Sequence, residues 1–202
     1  MVQKLAQLKE SPSQTAGPYV HIGCTPNFCG INGVYPDDLG ASMINEQTLG
    51  DRIVVSGTVY DGTGTPLKDA LVEIWHADAN GIYPGNDPRG PADPNFSGWG
   101  RKAGDYQTGE WAFETIKPGA VPFPDGRMQA PHITFWIVAR GINIGLQTRM
   151  YFPEADNSAD PILGRIEHQN RVPTLIAERV GDGAYRFDIR LQGDGETIFF
   201  DF

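Results

Sequence analysis

His132 is the residue of this chain best suited to metal chemistry, and it begins an apolar stretch at residues 132–139. A β-strand repeats every two residues, so one face of this stretch would carry His132, Thr134, Trp136 and Val138. Two histidines at positions 132 and 134 would lie about 6 to 7 Å apart and could bind one metal ion. Thr134 has no imidazole nitrogen, so the spacing predicts only half of a two-histidine metal site.

Cys24 and Cys29 are the two cysteines of the chain, and four residues separate them. A structural zinc site normally needs four ligands, and a redox pair usually has only two intervening residues. The spacing fits neither pattern, so we predict free thiols.

Length and charge limit the function classes. The 202 residues with 40% hydrophobic side chains predict one large domain or a domain with arms. Sixteen Lys and Arg against 25 Asp and Glu give a net charge of −9, which disfavours nucleic-acid and anionic-membrane partners. The first ten residues lack the apolar core of a signal peptide, and no later run is long enough to cross a bilayer. We therefore expect a cytoplasmic protein.

Short segments in which apolar and polar residues alternate predict strands from residue 52 onward. They lie at residues 52–60, 71–77, 111–115, 132–139, 146–152, 185–191 and 198–200. Turn-forming sequences rich in Gly, Asp and Asn separate them, and the chain has 25 Gly and 16 Pro. Only residues 160–169 and 173–179 show a helical period. The pattern predicts an all-β sandwich with short peripheral helices.

The domain organisation follows from the same pattern. Residues 1–50 are loop-rich and have too few alternating apolar positions to form a core, so we predict an N-terminal arm that packs on a partner chain. Residues 51–202 are the predicted sandwich. Within it, residues 83–102 are predicted to be a long irregular excursion, which in a compact domain is usually functional or disordered.

Several segments carry a family resemblance. Residues 61–83, 93–96, 115–119 and 131–134 resemble the intradiol ring-cleavage dioxygenases in order and spacing. Residues 13–23, 139–144 and 193–202 are similar to the alpha chains of the two-chain members that cleave protocatechuate. The resemblance implies a transthyretin-like β-sandwich in an alpha–beta hetero-oligomer. With O₂, that enzyme opens protocatechuate to 3-carboxy-cis,cis-muconate in the beta-ketoadipate pathway of aromatic catabolism.

The resemblance also implies where metal ligands are missing. In the family, two tyrosines and two histidines hold a catalytic ferric ion, and these positions fall on Tyr83, Val121, His132 and Thr134. Val121 and Thr134 are not ligands of this kind, and an arginine that precedes the first histidine falls on Gln129. The four positions would therefore be vestigial, with no metal ligand and no catalytic residue on this chain. The beta chain would hold the Fe(III).

A substrate wall is the contribution that the resemblance leaves to this chain. It falls on Thr15, Gly17, Pro18 and Arg140. The forked donors of the Arg140 guanidinium suit the carboxylate of an aromatic acid. Gly17 would let the backbone approach the substrate, and Pro18 would fix the local chain path.

Two other functions stay open from the sequence. The first is a self-sufficient homomeric enzyme of the catechol-cleaving type, with its own metal on Tyr83, His132 and further ligands; metal content of the isolated chain distinguishes it. The second is a non-catalytic sandwich that serves as a carrier or scaffold, because a fold does not fix a function. The residues of the substrate wall argue against it, since a scaffold has no need of them.

Overall fold

A computed structural model of the chain describes residues 14–143 and 145–201. Within them lie one short α-helix, eleven strands and two 3₁₀ helices. The elements are α1 (Val20–Cys24), β1 (Arg52–Tyr60), β2 (Leu71–Trp75), β3 (Trp99–Ala103), β4 (Glu110–Ile116), β5 (Val121–Pro122), β6 (Met128–Gln129), β7 (His132–Val138), β8 (Leu146–Tyr151), the 3₁₀ helices Leu163–Arg165 and Gln169–Leu175, β9 (Glu178–Gly181), β10 (Ala184–Arg186) and β11 (Ile189–Arg190). Residues 1–13 of the predicted arm, and Ile144 and Phe202 of the predicted sandwich, lie outside the described residues.

Two main sheets form the body. One has the strand order β11-β1-β10-β9, and β4 pairs with β1. In that sheet β1 is antiparallel to β4 and parallel to β10 and β11. The other sheet has the order β3-β2-β7-β8 and is antiparallel throughout. A two-stranded sheet of β5 and β6 lies apart from both.

The core joins the two main sheets and confirms the predicted all-β sandwich. In β7 the side chains of Ile133, Phe135 and Ile137 are fully buried, as the alternation predicts. The Phe135 ring lies 5.4 Å from that of Trp111 on β4 and 5.2 Å from that of Phe187, measured between centroids. Burial of each such side chain contributes about 1.5 to 3 kcal/mol. The opposite face of β7 carries His132 and Thr134, away from the core between the two sheets.

The strand predicted at residues 185–191 is two strands, β10 and β11. Both pair with β1 in the same register, but the Asp188 carboxylate accepts the Thr58 N–H at 3.0 Å in place of a ladder carbonyl. The strand predicted at residues 198–200 is wrong, because Phe200 forms only an isolated bridge with Gln147.

The helices are shorter than predicted. The described chain has 3₁₀ helices at Leu163–Arg165 and Gln169–Leu175, where α-helical periods were predicted at residues 160–169 and 173–179. The helix predicted at residues 173–179 is also wrong at its end, since β9 begins at Glu178. No helix in the described ranges is long and apolar enough to span a membrane.

The predicted irregular excursion at residues 83–102 ends in β3, so the prediction is wrong for its last residues. Strand β3 contains Gly100 and two cations and therefore lacks the apolar alternation of a strand. β3 is instead stabilised by its pairing with β2, where Arg101 donates to the carboxylate of Glu73 directly opposite it. The cross-strand ion pair explains why the isolated sequence pattern misses this strand.

Candidate functional site

The four positions that the resemblance assigns to metal ligands lie on different elements. His132 and Thr134 share the outward face of β7, Val121 begins β5, and Tyr83 lies in the connection that follows β2. Tyr83 and Thr134 line a cavity of about 540 Å³ on the outer face of the β3-β2-β7-β8 sheet. The rest of its lining is mostly aromatic: Trp75, Trp99, Phe135 and Trp136, with Glu73, Ile74 and Gln147.

The buried carboxylate of Asp78 fixes the backbone of the connection that carries Tyr83. Asp78 accepts the N–H groups of Asn80 and Ile82 at 2.9 Å each, and that of Asp93 at 3.0 Å. One side chain therefore fixes both the tight turn before Tyr83 and a distant part of the excursion. Burial raises the pKa of the Tyr83 phenol, so it is a neutral hydroxyl at neutral pH.

His132 is buried and held by one ring nitrogen. Its Nδ1 lies 2.7 Å from the carbonyl oxygen of Ala130, so Nδ1 carries the proton and donates it. Burial, and then the charge of Arg149, lower the pKa of His132 to about 4, which keeps the ring neutral at pH 7. In that tautomer Nε2 has a free lone pair, and it has no hydrogen-bond partner among the described residues.

Arg149 is the residue that the sequence reasoning missed. It lies on β8 directly opposite Thr134, and its Nη1 donates to the Gln129 amide oxygen at 2.8 Å. Its charge also opposes the rise that burial causes in the pKa of Tyr83. One sequence signal could have identified Arg149. The predicted strands at residues 132–139 and 146–152 follow each other in the chain, and pairing them brings their polar faces together.

These residues do not fit a ferric ion. Val121 and Thr134 offer no suitable ligand atom, and the permanent charge of the Arg149 guanidinium acts on both Tyr83 and His132. Among the described residues, no group of three or more His, Cys, Asp or Glu could hold a metal. Cys24 and Cys29 are free thiols, as predicted.

Thr15 and Arg140, two members of the predicted substrate wall, are neighbours. The Thr15 hydroxyl accepts the Gly141 N–H at 2.9 Å and lies 3.3 Å from the carbonyl oxygen of Ala139. Thr15 therefore binds the backbone on both sides of Arg140, although 124 residues lie between the two in sequence. Gly17 and Pro18 are exposed in the turn that leads into α1.

Arg140 is held but remains accessible. Its Nε lies 2.9 Å from a carboxylate oxygen of Asp69, while 63% of its side chain is exposed. A guanidinium has five N–H donors, so four remain beyond the Nε contact. The side chain is positioned by Asp69 and can still present a fork of donors to an anion.

His76 gives a pH-dependence that can be measured. It is fully buried, with Nδ1 2.8 Å from the Ala77 carbonyl oxygen and Nε2 2.8 Å from the Thr115 hydroxyl. Burial lowers its pKa to about 4 from an ordinary 6.5. Between these values only the unfolded chain binds the proton, so the free energy of unfolding falls as the pH falls from 6.5 to 4, by about 3 kcal/mol for this group.

Urea unfolding between pH 7.5 and 4.5 tests this expectation. Below pH 6.5 the slope should be about 1.4 kcal/mol per pH unit steeper in the wild type than in His76→Gln. Equal slopes in the two proteins, both folded at pH 7.5, would contradict it.

A family model described as "Dioxygenase" matches residues 25–193. The protocatechuate 3,4-dioxygenase alpha chain of Pseudomonas putida is 44% identical over 200 residues, covering 96% of this chain and 98% of that one. The chain belongs to the protocatechuate 3,4-dioxygenase alpha chains of the intradiol dioxygenase family.

This alpha chain also resembles the other chain type of its family. The protocatechuate 3,4-dioxygenase beta chain of Burkholderia cepacia is 34% identical over 162 residues, covering 78% of this chain and 65% of that one. Among solved structures, hydroxyquinol 1,2-dioxygenase from Pseudomonas putida DLL-E4 superposes with a TM-score of 0.58 at 23% identity, covering 75% of this chain and 59% of that one. That likeness shows the shared sandwich fold.

Proposed function

We propose that this chain is the alpha subunit of a protocatechuate 3,4-dioxygenase. With a beta chain, it forms an enzyme that opens the ring of protocatechuate between its two hydroxyl-bearing carbons and gives 3-carboxy-cis,cis-muconate. The two new carboxylates take up both atoms of one O₂, which balances the reaction. The observation that carries the proposal is the contrast between an intact Thr15–Arg140 cluster and a ligand set that no longer fits iron.

Arg140 is the residue that would recognise the substrate. Protocatechuate carries a carboxylate, and a forked, permanently charged guanidinium is suited to bind it. Asp69 holds Arg140 in place through Nε, and Thr15 ties the arm to the same segment of backbone. Gly17 and Pro18 would form the adjoining wall, close to the substrate ring.

The ferric ion would be held by the beta chain. Tyr83 packs near the Trp75 ring and His132 is held by the Ala130 carbonyl oxygen, and no step of the reaction runs through either residue on this chain. A self-sufficient homomeric enzyme would need ligand atoms that Val121 and Thr134 lack. The enzyme would work in the cytoplasm.

The N-terminal arm would dock on the beta chain. The part of the arm that the structure describes exposes several large apolar side chains, including Tyr19, Phe28, Val34, Leu39 and Leu49. A concentration of large exposed apolar side chains in one segment is a feature of protein interfaces. We propose residues 1–50 as the docking arm.

Ring-cleavage assays with the two chains, separately and mixed, test the proposed function. We expect loss of protocatechuate and uptake of O₂ only when both chains are present. Turnover by this chain alone would contradict the subunit assignment. If the two chains assemble but do not cleave protocatechuate, the result would favour a non-catalytic scaffold function.

Two valines with nearly equal exposure test the docking arm. Val34 in the arm is 55% exposed, and Val180 on the edge strand β9 is 54% exposed. Val34→Asp should weaken assembly with the beta chain by about tenfold or more, because it places an unpaired charge in an apolar interface. Val180→Asp should leave assembly unchanged. Sedimentation of mixed chains measures both, and equal behaviour of the two variants would refute the arm.

A further inference from the structure

The two positions that lost their ligand type are joined by a continuous chain of contacts. Val121 on β5 lies opposite Gln129 on β6, and the Gln129 amide oxygen accepts from Arg149. Arg149 on β8 in turn lies opposite Thr134 on β7. A hydrogen bond therefore joins the two residues that lie opposite Val121 and Thr134 in their sheets.

The two positions that kept their ligand type also lie within reach of the Arg149 charge. It acts on Tyr83 and on His132, whose Nε2 is the buried atom without a hydrogen-bond partner among the described residues. Arg149 also hydrogen-bonds the Tyr151 hydroxyl, and the rings of Tyr151 and His132 lie 5.7 Å apart. The charge of Arg149 thus acts on Tyr83, His132 and Tyr151, the polar side chains around the vestigial ligand positions (the ligand pocket).

Asp160 supplies a compensating negative charge. It is buried and accepts the N–H groups of Ala130, Ile162 and Leu163 at 2.8 to 3.0 Å. Its carboxylate lies 3.4 Å from the Tyr151 hydroxyl, which links it to the Arg149 side of the pocket. The charges of Arg149 and Asp160 act in opposite directions on the pKa of His132 and of Tyr151, so they offset each other there without any metal. A further buried cation would leave uncompensated positive charge.

We infer that Arg149 takes the place of a metal ion in this chain and excludes metal from the pocket. Arg149 on β8 lies opposite Thr134 on β7 and is hydrogen-bonded to Gln129 on β6, and its charge acts on Tyr83. Loss of ligands alone would leave a weak site that scavenges iron through Tyr83 and His132. A fixed internal cation prevents this, and metal is directed to the partner. The inference concerns the isolated chain and stands independently of the substrate role of Arg140.

The test restores a ligand and then removes the cation. Thr134→His places a second histidine on the face of His132, which with Tyr83 gives three possible ligands. Val121 stays unchanged, since it is buried and a larger side chain would overpack its site. Thr134→His is compared with Thr134→His/Arg149→Met, which keeps the side-chain length but not the charge, and with Thr134→His/Arg149→Lys, which keeps the charge.

Cobalt(II) is the probe, because its visible spectrum reports coordination without any enzymatic turnover. The Arg149→Met double variant should bind cobalt at least about tenfold more tightly than Thr134→His alone, and the Arg149→Lys double variant should bind as weakly as Thr134→His. Equal affinity with and without Arg149, or no binding by either folded protein, would overturn the inference.

Folding is checked by near-ultraviolet circular dichroism. If the Arg149→Met double variant fails to fold, Arg149→Gln replaces it, because glutamine can keep a hydrogen bond to Gln129 without the charge. Its expected result is the same tenfold gain, and the same equality of affinities would overturn the inference.

Discussion

Replacing Arg140 with alanine in the assembled enzyme is expected to lower kcat/KM for protocatechuate by about 30- to 150-fold. A charge-assisted hydrogen bond to a carboxylate contributes about 2 to 3 kcal/mol, which corresponds to that loss. Iron content should not change, because Arg140 contacts Asp69 and belongs to none of the vestigial ligand positions. Steady-state kinetics and metal analysis on the same preparations measure both quantities.

Two controls separate substrate recognition from general damage. Catechol lacks the carboxylate, so its slower turnover should be the same in the wild type and in Arg140→Ala. Arg127 is another exposed arginine paired with an aspartate, Asp125. Arg127→Ala should leave the turnover of both substrates unchanged. Unchanged kinetics for protocatechuate, or an equal loss for both substrates, would contradict the role of Arg140.

Gly81→Ala is expected to destabilise the fold by at least about 3 kcal/mol. Gly81 lies in the turn before Tyr83 at a φ of +78°, and a Cβ there would lie 2.1 Å from the Ala120 carbonyl oxygen. The positive φ alone costs about 1 to 2 kcal/mol, and the clash with backbone forces two segments apart. Because the next segment begins β5, the cavity around Tyr83 should be disturbed as well.

Gly64 provides the matched comparison for this variant. Its φ is +80°, but no atom lies within 4 Å of the position that a Cβ would take. Gly64→Ala should therefore cost only the backbone term of about 1 to 2 kcal/mol. Urea unfolding of both variants measures the difference, and equal costs would show that the approach of Gly81 to Ala120 is not a tight constraint.

Where alternation is strong, the sequence predicts the fold well. The faces of β7 are assigned correctly, with Ile133 and Phe135 in the core and His132 and Thr134 on the other side. The sandwich itself follows from the number of such strands. Four strands escape prediction. β5 and β6 are only two residues long, while β3 and β9 have charged or exposed residues and depend on pairing rather than on burial.

The site is less accessible to sequence reasoning, because its contacts are long-range. The predicted wall residues Thr15 and Arg140 do lie together, but the hydrogen bonds that join their segments are visible only in three dimensions. The role of Gly17 and Pro18 in binding substrate stays a prediction. Arg149 has no distinctive neighbours in sequence, and only its register with Thr134 and its bond to Gln129 reveal its position in the pocket.

The location of the iron tests the central claim most directly. Iron content and the visible charge-transfer spectrum should be measured on this chain expressed alone and then co-expressed with its beta chain. We predict a colourless, iron-free chain alone and a coloured complex with about one iron per alpha–beta pair. Stoichiometric iron with a tyrosinate charge-transfer band in the isolated chain would contradict the account.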